Sequence, residues 1–154
     1  MRSFFSFFLL LALITFTGCA VTAPTASDTL CVLLSGTGKT PPAYEMYIPH
    51  GQLQLSEISE RLYGKEDISA LLADYAVLLA RGTELYEVHV LQVKNPADLP
   101  VVQKQLQKRA DAIRLAVEEG HTTDPYAIVA VHKNTVFLFA TPYNNLLLSC
   151  LEKL

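Results

Sequence analysis

Basic charge and cysteine are both scarce in this chain, and each scarcity closes off a class of function. Twelve Lys and Arg stand against fifteen Asp and Glu in 154 residues. Nothing gathers the basic residues into a patch, so nucleic acid is not an expected partner. The chain has three cysteines and four histidines, and His50, His89, His121 and His132 are scattered along it. Two cysteines without a cluster of histidines cannot close a zinc site. Neither a Gly-x-Ser-x-Gly turn nor a Ser-x-x-Lys pair occurs, which removes two common settings for a nucleophilic serine. No internal repeat is visible, and no metal or cofactor is expected.

What the chain does have is an apolar N-terminus. Arg2 precedes residues 4–17, in which only Ser6, Thr15 and Thr17 are polar. As a helix this run would be about 21 Å long, short of the roughly 30 Å hydrocarbon core of a bilayer. The order of a positive residue, an apolar run and a small residue, Gly18, is that of a secretory signal. Cys19 follows directly, and the ending resembles the lipobox of bacterial lipoproteins, with Phe16 at a position where Leu is usual. The expectation is cleavage before Cys19 and lipid on its sulfur. The protein would then be an extracytoplasmic one, anchored to the outer face of a bacterial cell membrane, with the bilayer as its first partner. The plainer alternatives are an ordinary signal with a chance cysteine, or an uncleaved anchor. On this reading residues 1–18 are the signal peptide, 19–29 a lipidated tether and 30–154 a single domain. Taking Arg2 away leaves eleven basic residues against fifteen acidic ones, a formal charge of −4.

Cys31 and Cys150 remain as an even pair in an exported chain. They either form a disulfide or serve as small buried hydrophobes.

Residues 30–34 read as a short strand or a helical turn, and 44–48 as a strand broken by Pro49, His50 and Gly51. Residues 56–63 look helical, with Gly64 as a stop. Residues 68–79 fit helical spacing, yet 75–80 also read as a strand before Arg81-Gly82. Residues 84–94 form a strand with Tyr86, Val88 and Val90 on one face. Leu85, Leu91 and Val93 take the other face, with Glu87 and His89 among them. Asp98 can cap a long helix reaching to about Glu119, with an apolar stripe of Leu99, Val102, Leu106, Ala110, Ile113 and Val117. Two strands, 126–132 and 135–141, are joined by Lys133-Asn134, and a short helix inserts Leu147 and Leu151. The order of strands about one long helix predicts an α+β fold, an antiparallel sheet with that helix packed on a face and a strand-strand-helix-strand-strand core.

Ser35-Gly-Thr-Gly-Lys-Thr40 is the tempting motif. A phosphate-binding loop requires an earlier Gly at position 33, where Leu33 stands, and a helix starting at the Lys, where Pro41 and Pro42 intervene. A Gly-rich loop is expected instead, and no nucleotide. Glu87 and His89 share a strand face, and His132 can approach from a neighbouring strand to make a metal or acid–base site. The ordinary alternative is exposed strand polarity. Arg109 falls beside the apolar stripe, so its head should pair with a carboxylate such as Glu87.

Several short segments in order resemble a known family. They are Leu62-Tyr63-Gly64, Asp74-Tyr75-Ala76-Val77, Tyr86-Glu87-Val88-His89-Val90 and Lys108-Arg109-Ala110-Asp111, closing on two hydrophobic strands. The family consists of exported lipoproteins of Gram-positive, mainly clostridial, bacteria and is filed as domain of unknown function four-three-five-eight. The resemblance covers about residues 56–141. It departs at Gly120-His-Thr-Thr-Asp-Pro125, where the family carries a Tyr-and-Pro loop. It implies a strand at 75–80 after a short helix at 67–73, and lipid anchoring, and it supplies no catalytic residue. The expected function is a non-catalytic binding module that meets a protein of the cell envelope. The alternative is an envelope enzyme, or its accessory subunit, using Glu87, His89 or Arg109.

Overall fold

The computed structural model describes residues 23–64, 67–117 and 127–154. The expected signal segment with Cys19, the expected end of the long helix near Glu119 and residues 120–125 with His121 lie outside them. The fold is α+β, as expected.

Helix α1 spans Ala26–Gly36. It starts on a capping box: the Thr25 side chain accepts from the Asp28 backbone N–H, and the Asp28 carboxylate accepts from the Thr25 N–H. Ala26, Thr29, Leu30 and Leu33 then recur at helical spacing and are buried. Residues 30–34 are therefore helical, not a strand. The ordered fold begins before residue 30, because Ala26 N–H donates to Asp74 and Gln92 Nε2 to the Pro24 carbonyl.

Strand β1 is Tyr44–Tyr47. A 3-10 turn at Leu55–Glu57 leads into helix α2, Ser59–Tyr63, which ends where Gly64 takes φ +79°. Strand β2 runs Leu72–Ala80 and contains the expected 75–80. The helix expected at 67–73 is only a 3-10 turn, Ser69–Leu71. Strand β3 is Glu87–Val93. Helix α3 is Leu99–Ala116, entered through a 3-10 turn at Pro96–Asp98. Asp98 makes no capping bond. Asn95 accepts from Ala97 N–H instead, since the 3-10 turn moves the first free amides back three residues. Strands β4, Ile128–His132, and β5, Thr135–Ala140, form a hairpin with Lys133 at φ +51°. Helix α4, Asn144–Leu151, closes the chain.

The five strands lie in the order β1-β2-β3-β5-β4, every neighbouring pair antiparallel. Strands β3 and β4 therefore run parallel with β5 between them, and α3 makes the crossover. Each sheet face has its own core. Val77, Leu91, Val93, Val136 and Leu138 pack under Val102, Leu106, Ala110 and Ile113 of α3 and Leu62 and Tyr63 of α2. Ala76, Leu78, Val88, Val90, Phe137 and Phe139 pack under Leu30 and Leu33 of α1 and Leu147 and Leu151 of α4. The alternation read in residues 85–93 holds in full. The long helix covers one face as expected, and the α1–α4 pair adds a layer on the other.

Candidate functional site

Glu87 and His89 stand two apart on β3, so both point to the α3 side of the sheet. That side is apolar along Leu91 and Val93, and a carboxylate there must find partners. Arg109, one residue from Ala110 on the buried stripe, reaches down from α3. Its Nε donates to Glu87 Oε1 at 2.9 Å and its Nη2 to Oε2 at 2.7 Å, a bidentate pair. His89 Nε2 lies 2.7 Å from Glu87 Oε1, but its N–H is not aimed along that line, so this is an electrostatic contact and not a hydrogen bond. On the other edge of the ring, Nδ1 is 2.7 Å from Tyr63 Oη. With the ring hydrogen on Nε2, beside the carboxylate, Nδ1 accepts from the Tyr63 hydroxyl. The two rings meet edge to face, their centroids 5.7 Å apart.

The four residues make a line from core to surface. Tyr63 and His89 are buried, the Glu87 side chain is 5% exposed and the Arg109 side chain 25%. Burial alone would raise the Glu87 carboxyl, but the neighbouring His89 ring and the Arg109 bonds outweigh it and bring it down to about 2. Burial lowers the Arg109 guanidinium and the Glu87 carboxylate more than restores it, for a net rise. Burial and the Glu87 charge push the Tyr63 hydroxyl well above its ordinary value.

An open cleft of about 300 Å³ lies over the outer end of this line. Glu87 and Arg109 form its inner wall, and Arg61, Glu84, Leu85 and Leu79 are among its other lining residues. Arg61 and Glu84 are exposed there, and neither has an ion-pair partner among the described residues. The cleft thus offers both signs of charge beside an apolar strip.

The expected pairing of Arg109 with Glu87 is present. His132 does not join it. Strand β5 lies between β4 and β3, and His132 pairs with Thr135, which in turn pairs with Gln92, so it sits on the opposite face from His89. Among the described residues Cys31 and Cys150 are both free and do not pair with each other. Cys31 is exposed on α1, whereas Cys150 of α4 packs so closely on Gly36 that a Cβ there would sit 2.6 Å from its sulfur. Neither cysteine is a fully buried hydrophobe. Residues Ser35–Thr40 end a helix instead of starting one: Thr37 N–H bonds back to Leu34 and Ser35, Gly38 takes φ +63°, and Lys39 lies over the Tyr143 ring. Among the described residues no three His, Cys, Asp or Glu gather as a metal would require.

Two buried polar residues on the α3 side of the sheet were not singled out from the sequence. Tyr63 belongs to a five-residue helix and gives no sign of its partner. Gln105, one turn before Arg109, is buried, and its Oε1 accepts no bond among the described residues. A polar residue set between Val102 and Leu106 was the available signal.

No family model matches this chain, and neither a curated protein nor a solved structure matches it. No helix among the described residues is long and apolar enough to cross a membrane.

Proposed function

We propose that this is a lipid-anchored, extracytoplasmic binding module of the bacterial cell envelope, held by Cys19 and recognising an envelope protein without catalysing a reaction. The observation that carries this reading is the mutual pairing of Tyr63, His89, Glu87 and Arg109. Both carboxylate oxygens are held by one guanidinium, and the imidazole is held between the carboxylate and a phenol. A general base needs a lone pair free for substrate, and Glu87 has its oxygens committed. Arg61 and Glu84, without an ion-pair partner among the described residues, stand at the cleft surface, where they suit recognition of a partner bearing both signs. The likeness to the clostridial lipoprotein family belongs to this proposal, and the Cys19 context supports it.

The competing reading, an envelope enzyme or its accessory subunit, draws on the cleft lying directly against Glu87 and Arg109. One experiment separates the two. The full chain is captured from solubilised membranes, and co-purifying proteins are compared between the natural sequence and an Arg61→Glu/Glu84→Lys variant. A partner lost with the charge reversal supports recognition through the cleft. No specific partner, together with hydrolysis of cell-wall material that disappears in Glu87→Gln, would replace this reading with the enzymatic one.

A further inference from the structure

The two helical layers differ in their outer surfaces. Helix α3 carries five charged residues, Lys104, Lys108, Arg109, Asp111 and Arg114. Helix α1 has only Asp28 in eleven residues, and α4 has no charged residue in eight. Apart from Asp28, the solvent side of the two helices is apolar or uncharged. Val32 is 54% exposed and Leu146 44%, with Cys31, Ser35, Asn145 and Ser149 around them. Apolar side chains on α3 are exposed too, Val101 and Leu115, so exposure alone does not choose a face.

The length of chain before the fold does choose. Gln92 faces the α1 layer and holds the Pro24 carbonyl at 3.0 Å. Ala26 N–H is held by Asp74 on the same side of the sheet. Only five peptide steps separate Pro24 from Cys19. Whatever path they take, they span at most about 18 Å. Packed layers sit about 10 Å apart and a helix has a radius of about 5 Å, so the outer surface of α3 lies roughly 15 Å beyond the sheet, while Pro24, held at the tip of the Gln92 side chain, stands roughly 7 Å on the other side of it, about 22 Å in all. A lipid on Cys19 can bring the α1–α4 side to a membrane but cannot bring the α3 side there.

We infer that the outer side of the α1–α4 pair, with Val32 and Leu146 at its centre, rests on the lipid surface that holds Cys19. This inference rests on lipid attachment at Cys19. The tether keeps the face at a high effective concentration next to the bilayer, so a few apolar side chains are enough to bias the orientation. The two helices carry one charge between them, Asp28, and the exposed Lys39, Glu152 and Lys153 flank them at the helix ends, so little charge on the helices themselves has to be brought against the interface. The cleft opens on the α3 side of the sheet, so this orientation turns it away from the membrane.

The test uses the full-length chain with Cys31→Ser and Cys150→Ser, reconstituted in vesicles of phosphatidylethanolamine and phosphatidylglycerol. Spin labels are placed one at a time through Val32→Cys, Leu146→Cys, Val101→Cys and Leu115→Cys, all at exposed positions. Collision with oxygen, which concentrates in lipid, is compared with collision with a water-soluble nickel chelate. Labels at 32 and 146 should favour oxygen several-fold over those at 101 and 115. If mass spectrometry shows lipid on Cys19 but all four labels meet nickel equally, the orientation is wrong while the anchoring reading stands. If Cys19 carries no lipid, both fall. Labels at 32 and 146 that are water-exposed in pure vesicles, but shielded from both reagents in native membranes, would mean that a protein covers this face, which also overturns the inference.

Discussion

Arg109 and Glu87 are unequal partners when one is removed. Arg109→Met strands a carboxylate in an apolar wall and is expected to cost about 3 kcal/mol. The double change Glu87→Leu/Arg109→Met removes both charges and should cost clearly less than Arg109→Met alone. Denaturant titration of the three proteins checks this, and a double variant weaker than the single would refute the strained-charge account. The depressed carboxyl has a pH consequence. Since the folded value lies near 2 and the ordinary one at 4.5, Glu87's contribution is complete above pH 4.5 and drains away as pH falls toward 2. The amount is up to about 3 kcal/mol. Glu87→Gln should flatten that part of the stability–pH curve; an unchanged slope between the two proteins would assign acid sensitivity elsewhere. Tyr63→Phe leaves His89 Nδ1 without its donor in a dry site, at a cost of about 1–3 kcal/mol. The Glu87–Arg109 pair was readable because a carboxylate on an inward strand position and a guanidinium beside an apolar stripe each need a partner. Tyr63 was not, because its meeting with His89 depends on where a short helix docks.

At the scale of elements, α1 shows what short apolar runs conceal. Leu-Cys-Val-Leu-Leu fits a strand or a helix equally well, and the arbiter was the Thr25–Asp28 box, lying within what reads as tether. Thr25→Ala should therefore lower stability by about 1 kcal/mol and increase proteolysis before residue 30, measured by thermal melts and limited digestion. Unaltered melting would show that the Asp74 and Gln92 bonds hold the helix start without the cap. Residues 68–79 posed the reverse problem. Their helical spacing is genuine, yet β2 has β1 and β3 on its two sides, and two ladders outweigh local preference. The body of the long helix, Leu99–Ala116, and of strand β3, Glu87–Val93, was legible because their periods run over enough residues to exclude the alternative, whereas their ends were not. The second helical layer was not, since nothing in Leu147 and Leu151 says which sheet face they cover.

At the scale of the whole molecule, the proposed anchoring makes a direct expectation. Cys19→Ala should move the protein from the membrane fraction to the soluble one and abolish incorporation of a lipid label, read by fractionation and labelling. Full retention of the variant would make residues 4–17 an anchor in their own right. The interleaved strand order has a further consequence, in the time domain. Strand β3 takes β2 as its neighbour from the preceding residues, but its other neighbour, β5, begins at Thr135, more than forty residues later. Until that segment is made, β3 carries an open edge of Glu87–Val93, most of it apolar, with nothing to pair against. A nascent chain therefore passes through a stage in which its most central strand is its stickiest. Chains that stop short of β5 should self-associate instead of remaining as smaller folded domains, so the last twenty residues decide whether the first hundred stay apart from their neighbours.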